Sequence, residues 1–286
     1  MDIFTGVGVA MITPFKNGEV DSDAFASLAS ELIDRDVDAL IVGGSTGEPH
    51  SLTDEEKAML VRLAVKVAKG RVPVIAGVNQ ACTVEAVRES RVFLEAGADA
   101  LLVLTPYCAK CTSEGCYLHY KAVKETGLPV IAYNVPSRTG YDLPASVLKR
   151  LADENIITGV KQASPVIRSA MEYVNALNGK ALYSGEDDLT FTFRSLGGVG
   201  VISVAALVIP EAIKALFLLD EKNAAKLQLE LNGFINALFS EINPVPVKFM
   251  LSRLRKCENS LRLPLTPLSK ENEERLLFHA EKIGLI

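Results

Sequence analysis

The sequence predicts an α/β protein of the (β/α)8 TIM-barrel class with a C-terminal helical appendage. Eight short apolar runs recur along the 286-residue chain, and a longer amphipathic segment follows each of them. The runs begin at steps of roughly 20–35 residues, the length of one βα unit in a closed barrel. A doubly wound open sheet repeats the same unit, but the count of eight favours the barrel. The runs are Val7–Met11, Leu40–Val42, Val74–Ala76, Ala100–Leu104, Val130–Tyr133, Ile156–Val160, Ala181–Tyr183 and Gly200–Val204.

The composition of each run and of the segment after it justifies these elements. The runs are rich in Val, Ile and Leu without polar alternation, which is typical of parallel strands covered on both faces. A helix is predicted from Thr53 to Ala68, and Thr53 with Glu56 forms a capping box at its start. Further helices are predicted after Thr83, Ser113, Pro144, Pro165 and Pro210, and three of the helical patterns end at C′ glycines, Gly70, Gly97 and Gly127.

Strand signals stop after Pro210, and the rest of the chain is predicted to be helical. Helices are expected near Asn223–Glu241, Val247–Lys256 and Lys270–Ile283. Because no linker or low-complexity tract precedes them, we expect residues 1–222 to form the barrel and residues 223–286 to form a helical region packed on it.

Charge and cysteine content exclude several classes of function. The 30 Lys and Arg residues against 35 Asp and Glu residues give a net charge of −5, with no polybasic run, which argues against a nucleic-acid or anionic-membrane partner. No apolar stretch reaches the roughly 18 residues of a membrane span. Residues 1–20 do not resemble a secretory signal, and the five cysteines indicate reduced thiols, so a cytoplasmic location is expected.

Two residues at adjacent strand ends point to amine chemistry. In a parallel barrel, catalytic side chains lie at the carboxyl ends of the strands. Lys161 follows the sixth run, where desolvation disfavours its ammonium form and a neutral amine can attack a carbonyl to form a Schiff base. Tyr133 ends the neighbouring run, and its phenol can exchange protons with that amine across about 5 Å. The alternatives are a lysine that reaches solvent and a tyrosine packed in the core.

Two βα turns carry groups suited to anions. Ser45 and Thr46 lie in a glycine-rich turn whose hydroxyls and backbone suit a small carboxylate or phosphate, although a tight turn with an N-cap is the alternative. Arg138 lies in the turn after the fifth run, where it is either a bidentate carboxylate clamp or a solvated loop arginine.

Two further clusters are interpreted as structural. The first cluster comprises Cys108, Cys111, Cys116 and His119, which have the spacing of a zinc site. We interpret it as a thiol-rich loop that enters a helix, so no metal is predicted. The second cluster comprises Glu186, Asp187 and Asp188, whose paired carboxylates could act in acid–base catalysis. We interpret it as the acidic first turn of a helix.

The motifs, in this order and spacing, closely resemble the dihydrodipicolinate synthase / N-acetylneuraminate lyase family over essentially the whole chain. This is a family of class I, pyruvate-handling aldolases on a (β/α)8 barrel with C-terminal helices. The arginine at position 138 resembles the pattern of the synthase branch, because the sugar-acid lyases lack arginine at this position. The resemblance rests on Gly44-Ser45-Thr46-Gly47-Glu48, Tyr133-Asn134-Val135-Pro136-Ser137-Arg138-Thr139-Gly140, Gly159-Val160-Lys161, Gly200-Val201-Ile202-Ser203-Val204, Asn243-Pro244-Val245-Pro246-Val247-Lys248 and Arg262-Leu263-Pro264-Leu265-Thr266-Pro267.

The resemblance implies that pyruvate condenses with L-aspartate 4-semialdehyde to give 4-hydroxy-tetrahydrodipicolinate, on the route to lysine and diaminopimelate. Lys161 would form the imine with pyruvate, Tyr133 would pass protons, and Ser45 would replace the family's relay threonine. The Schiff base is the electron sink in this chemistry, so the resemblance implies no metal and no organic cofactor.

It also implies a set of substrate contacts. Thr46 and the backbone near Ile202 would hold the pyruvate carboxylate, Arg138 would receive the carboxylate of the semialdehyde, and Gly185 would line the pocket. Tyr107 is a further candidate for substrate contact.

One departure concerns the second substrate. The family's loop after the fourth strand normally carries two tyrosines, and the second reaches across a subunit interface to complete the proton relay. Cys108 occupies that second position here, and a thiol is shorter and a weak hydrogen-bond partner. Either the relay is rebuilt with Tyr107 or a water, or the chain acts on a different aldehyde.

Three functions therefore remain open: the synthase, an aldolase of the same family acting on a sugar acid or another aldehyde, and a catalytically silent binding barrel. The family is commonly homotetrameric, and a homotetramer is expected here. Inhibition by lysine is expected to be weak or absent, because Pro49, His50, Asp54 and Lys57 depart from the family's lysine site.

Overall fold

The computed structural model describes residues 2–286 and contains a closed barrel of eight parallel strands. The barrel order is β1-β10-β9-β8-β7-β6-β5-β4, and β1 closes the ring by pairing with both β10 and β4. The remaining strands, β2 and β3, form a short antiparallel hairpin that the sequence pattern did not predict. The predicted barrel class is thus confirmed. The strands are β1 (Gly6–Ala10), β2 (Phe15–Lys16), β3 (Glu19–Val20), β4 (Ala39–Val42), β5 (Val74–Val78), β6 (Ala100–Leu104), β7 (Val130–Asn134), β8 (Gly159–Gln162), β9 (Ala181–Ser184) and β10 (Gly200–Ser203).

Helices alternate with the barrel strands and then continue alone to the C-terminus. The predicted capping box is present, because the Thr53 hydroxyl accepts from the Glu56 amide and the Glu56 carboxylate accepts from the Thr53 amide. The helices are α1 (Ser22–Asp34), α2 (Asp54–Ala68), α3 (Thr83–Glu95), α4 (Ser113–Lys124), α5 (Pro136–Thr139), α6 (Ala145–Asp153), α7 (Ile167–Ala176), α8 (Thr190–Ser195), α9 (Pro210–Leu218), α10 (Glu221–Leu238), α11 (Val245–Arg253) and α12 (Lys270–Lys282).

The strand predicted at Ile156–Val160 begins later, at Gly159. Helix α6 ends in a Schellman turn, in which the amide of Ile156 donates to the carbonyl of Leu151 and Asn155 adopts a left-handed φ of 55°. Ile156 is buried as the apolar residue after this turn and is not part of the strand. The shift places Lys161 inside β8, in register with Tyr133 of β7.

One end of the barrel is filled by aromatic side chains. Phe4 stacks on Tyr183 with ring centroids 4.5 Å apart, and the Tyr183 hydroxyl donates to the Phe4 carbonyl at 2.9 Å. Phe4 lies directly before β1, so this pair packs against the segment that enters the first strand. The carboxyl ends of the strands are left for a site.

The C-terminal helices pack on the barrel. Helix α10 packs against α9 and α12, and α11 packs against α12. Almost the whole of α11 is buried, including the charged residue Lys248. No helix formed by residues 2–286 is both long and apolar enough to cross a bilayer.

Candidate active site

A cavity of about 270 Å³ lies at the carboxyl ends of the barrel strands. It brings together six of the eight residues that the sequence singled out: Ser45, Thr46, Tyr133, Arg138, Lys161 and Gly185. The C-terminal region adds Phe239, Glu241, Ile242 and Asn243 to the same wall. The mouth of the barrel is therefore closed partly by residues beyond the last strand.

Lys161 and Tyr133 form the floor of the cavity. They are directly paired residues of neighbouring strands, so both side chains point to the same face. Lys161 is 6% exposed and Tyr133 is 5% exposed. The Lys161 Nζ lies 4.5 Å from the centre of the Tyr133 ring, within the range of a cation–π contact. The arrangement places an amine and a phenol side by side, and both are largely buried.

The absence of a side chain at Gly185 leaves space for the Lys161 side chain. A Cβ at this position would lie 2.9 Å from Cε of Lys161 and 2.6 Å from Cβ of Ala163. Both distances are below ordinary van der Waals contact, so any larger residue would displace the amine.

The hydroxyl turn after β4 is tied to the C-terminal region. Ser45–Gly47 forms a single 3₁₀ turn, and Thr46 within it is buried. Asn243 donates from Nδ2 to the Thr46 hydroxyl at 2.9 Å. Because the Thr46 oxygen accepts this bond, its own hydrogen remains available to an acceptor in the cavity.

Arg138 is anchored by the same asparagine. It lies in the short helix α5, and its Nη2 donates to the backbone carbonyl of Asn243 at 3.1 Å. Asn243 thus joins the two groups best suited to bind carboxylates, one through its side chain and one through its backbone. The sequence motif around Asn243 was recognised, but without its spatial partners it carried no role.

Glu186 is a second residue of the cavity, one that the sequence pattern led us to interpret as structural. It lies before the 3₁₀ turn of Asp187–Leu189 and lines the cavity, so the interpretation as a helix first turn holds for Asp187 and Asp188 but not for Glu186. Burial, followed by the nearby Asp188 charge, raises the pKa of Glu186 to about 7, against the opposing effect of Lys161. A carboxyl group that exchanges protons near neutrality therefore faces the lysine.

Asp187 has a structural role. It is fully buried, and its Oδ2 accepts from the backbone amides of Val204 and Ala205 at 2.9 and 3.0 Å. Burial raises its pKa, while these hydrogen bonds and that from Ser203 act in the opposite direction. It fixes the chain just after β10.

Two of the candidate residues lie outside the cavity wall. Ile202 is buried within β10, and Val204, two residues further along, lines the cavity. Tyr107 lies in an adjoining cleft of about 390 Å³ that shares Ser45 and Arg138 with the first cavity. Its hydroxyl donates to the carbonyl of Asn79 at 3.2 Å.

The zinc-like spacing does not correspond to a cluster. Cys108 is exposed with a left-handed φ of 69°, whereas Cys116 is buried. His119 is buried beside the Thr83 hydroxyl, 3.1 Å from its Nδ1, and burial lowers its pKa to about 4. Among residues 2–286, no group of three or more Cys, His, Asp or Glu side chains is arranged to hold a metal ion.

Comparison with known proteins places this geometry in a family. The model of the dihydrodipicolinate synthetase family matches residues 3–282. A 4-hydroxy-tetrahydrodipicolinate synthase of Alkaliphilus oremlandii is 42% identical over 99% of this chain and 100% of its own length. The solved dihydrodipicolinate synthase of Acinetobacter baumannii, in complex with pyruvate, is 37% identical with a TM-score of 0.95, covering 99% of each chain.

A solved monomeric dihydrodipicolinate synthase variant is also 37% identical, with a TM-score of 0.96 over 99% of this chain and 98% of its own. These matches run the full length of the barrel and the C-terminal helices alike. The chain belongs to the dihydrodipicolinate synthetase family.

Proposed function

We propose that this chain is a lyase of the class I aldolase type that condenses pyruvate with L-aspartate 4-semialdehyde to form 4-hydroxy-tetrahydrodipicolinate, a step towards lysine and diaminopimelate. The observation that carries the proposal is the Lys161–Tyr133 pair at the floor of a cavity of about 270 Å³. The name shared by full-length relatives at about 40% identity supports the same activity.

The first half of the reaction uses the buried amine. Neutral Lys161 attacks the ketone carbon of pyruvate, and loss of one water gives a protonated imine. Removal of a methyl proton converts the protonated imine to an enamine, and the C=N⁺ bond of the imine accepts the electron pair of the broken C–H bond. Tyr133 is the proton donor and acceptor for these steps, because its phenol shares the pocket with the amine.

The second half joins the substrates. The enamine carbon attacks the aldehyde carbon, forming the new C–C bond and an alkoxide that takes up a proton. The amino group of the former semialdehyde then attacks the imine carbon and displaces Lys161, which closes the ring. The overall reaction releases one water, the one lost when the imine formed.

The two carboxylates are held at the rim of the cavity. The Thr46 hydroxyl is free to donate to the pyruvate carboxylate, and Ser45 beside it extends the hydroxyl pair to the proton relay. The backbone at the end of β10 completes this subsite near Ile202 and Val204. Arg138 binds the carboxylate of the semialdehyde, because a guanidinium at the rim offers two parallel donors.

Trapping the imine tests the proposal. Pyruvate with borohydride is expected to add mass to Lys161, located by peptide mass spectrometry, and Lys161→Ala is expected to abolish the adduct. Lys180→Ala is the matched control, because Lys180 is a half-buried lysine that donates to Asn155 and does not line the cavity, and it should leave trapping unchanged. No adduct on Lys161 in the wild-type protein would favour the silent binding barrel.

A second measurement identifies the aldehyde that the enzyme prefers. Cys108 leaves room for an aldolase acting on a sugar acid, whereas Arg138 favours a carboxylate-bearing aldehyde. Turnover of aspartate semialdehyde at least as fast as that of 2-keto-3-deoxy sugar acids supports the synthase, and the reverse order supports the alternative.

We also propose that the chain is a homotetramer located in the cytoplasm. The resemblance to a commonly tetrameric family supports the assembly, and the exposed apolar residues Val166, Met171 and Val174 at and within α7 offer a surface for self-association. Analytical ultracentrifugation tests the assembly, and a monomer at micromolar concentration would contradict it.

A further inference from the structure

A fully buried ion pair links the hydroxyl turn to the C-terminal helices. Glu48 ends the Ser45–Gly47 turn, and its carboxylate contacts Nζ of Lys248 in α11. Both side chains are 0% exposed. Lys248 also donates to the carbonyl of Ser260 at 2.9 Å and lies 4.2 Å from the centre of the Phe15 ring. Within residues 2–286, nothing except Lys248 approaches the Glu48 carboxylate as a donor.

Stability does not account for this pair. Removing two charges from water is costly, and replacing a buried ion pair by apolar residues of similar volume is often neutral or stabilising. The backbone of Glu48 adds a second cost, because it adopts the left-handed region at φ 54° and ψ 46°, which favours glycine. Neither the ion pair nor the backbone conformation of Glu48 is an evident source of stability, which directs attention to what the carboxylate contacts.

What it holds is the turn that presents Thr46. The Thr13 hydroxyl donates to the carbonyl of Gly47 at 2.6 Å, and Asn243 donates to Thr46 itself. Glu48 follows directly, so Lys248 fixes the exit of the same turn. Two of these restraints, Asn243 and Lys248, come from the C-terminal region.

We propose that Glu48 and Lys248 are positioning residues for the pyruvate site: the pair locks the turn so that the Thr46 hydroxyl is directed at the substrate carboxylate. The C-terminal helices are in this way a working part of the pyruvate site. The inference rests on the proposed function, since it takes the ketoacid in the cavity to be pyruvate. The hydrogen bond from Thr46 is made in both ground and transition states, so its loss affects the KM for pyruvate more than kcat.

The double variant Glu48→Leu/Lys248→Met separates positioning from stability. It removes both charges together and leaves no unpaired ion in the interior, so the melting temperature is expected to stay near that of the wild type. The KM for pyruvate is expected to rise about tenfold, with kcat and the KM for the aldehyde within about threefold of the wild type. Glu48→Gln alone keeps an acceptor for Lys248 and is expected to give a smaller rise in the same direction.

Lys256→Met is the matched control. Lys256 pairs with Glu31 of α1 at 2.6 Å, so it also ties the C-terminal region to the barrel, but away from the hydroxyl turn. Its loss is expected to lower the melting temperature slightly and to leave the KM for pyruvate unchanged.

Glu48→Gly tests the turn itself, because it relieves the left-handed backbone while removing the carboxylate. A wild-type KM for pyruvate in this variant or in the double variant would overturn the positioning role.

Borohydride trapping on the wild-type protein is done first. No adduct on Lys161 would refute the proposed function, whereas an adduct with unchanged KM values in the variants would refute only the positioning role of the Glu48–Lys248 pair. The positioning role would also be overturned if Lys256→Met raised the KM for pyruvate as much as the double variant does.

Discussion

At the scale of single residues, the site consists of one amine with three different kinds of neighbour. Tyr133 supplies a phenol, Gly185 supplies empty space, and Glu186 supplies a carboxyl group whose pKa is raised to about 7. Each neighbour acts on Lys161 by a separate physical effect. Substitutions at these positions therefore have separable consequences.

Tyr133→Phe removes the phenolic hydroxyl and keeps the ring that packs on Lys161. We expect kcat to fall about 10²- to 10⁴-fold, the usual contribution of a positioned proton donor, with a smaller change in the KM for pyruvate. Steady-state kinetics measure both values. Tyr117→Phe is the control, because its hydroxyl donates to Glu154 away from the cavity; equal losses in the two variants would refute a proton role for Tyr133.

Glu186→Gln is expected to change how stability depends on pH. The folded-state pKa of Glu186 is raised from 4.5 to about 7, so its contribution is complete below pH 4.5 and is lost as the pH rises through about 7. The variant should therefore be more stable than the wild type at pH 8, with the difference vanishing near pH 4.5. Urea unfolding across this range measures it.

Asp153→Asn should show the opposite trend. Lys149 holds the pKa of the exposed Asp153 below its usual value, so the stability that this carboxylate contributes is present at high pH and is lost on acidification. If Glu186→Gln lowered stability at pH 8, as Asp153→Asn is expected to do, the burial argument for Glu186 would be wrong.

At the scale of elements, what the sequence could predict depended on how local the signal is. Strand number, the helix at Thr53 and the strand-end position of Lys161 follow from patterns within a few residues of one another. The start of β8 was wrong because the apolar Ile156 caps α6, and periodicity alone does not distinguish a capping residue from a strand residue. Asn243 and Lys248 were present in a recognised motif, but their partners Thr46 and Glu48 are close only in the folded chain.

The C-terminal helices provide the prediction at this scale. We propose that residues 223–286 are a packed region and not an independent domain, because Asn243 lines the cavity and α10 packs on α9. A chain ending at residue 222 is expected to be insoluble or molten by circular dichroism. A folded barrel of residues 1–222 that still forms the pyruvate imine would contradict this.

At the scale of the whole molecule, an acidic protein must bind two substrates that each carry a carboxylate. The net charge of −5 opposes the approach of a carboxylate, whereas the Arg138 guanidinium and the Ser45 and Thr46 hydroxyls lie together at one end of the barrel. Local cations act over short distances in a pocket of low dielectric, while the overall charge is screened within about 8 Å at physiological salt. Recognition is therefore local.

Inhibition by lysine would join two sites of the molecule, because lysine is expected to bind in the cleft beside the active-site cavity. Lys57 lines that cleft beside Tyr107, and its ammonium pairs with Glu89 at 2.9 Å. A resident cation with its own carboxylate disfavours a second ammonium there. We expect weak or absent inhibition when lysine is titrated into the purified enzyme, and strong inhibition at low millimolar lysine would contradict the prediction.

The bridge made by Asn243 has a consequence for how the family can diversify. Its side chain contacts Thr46 and its backbone contacts Arg138, so one residue supports both of the groups proposed to bind the substrate carboxylates. A mutation of Arg138 that changes the preferred aldehyde would release the Asn243 carbonyl and disturb the Thr46 hydroxyl that is proposed to bind pyruvate. Acceptor preference and donor affinity are therefore expected to be epistatic, and new aldehyde specificities should arise more readily from paired substitutions than from single ones.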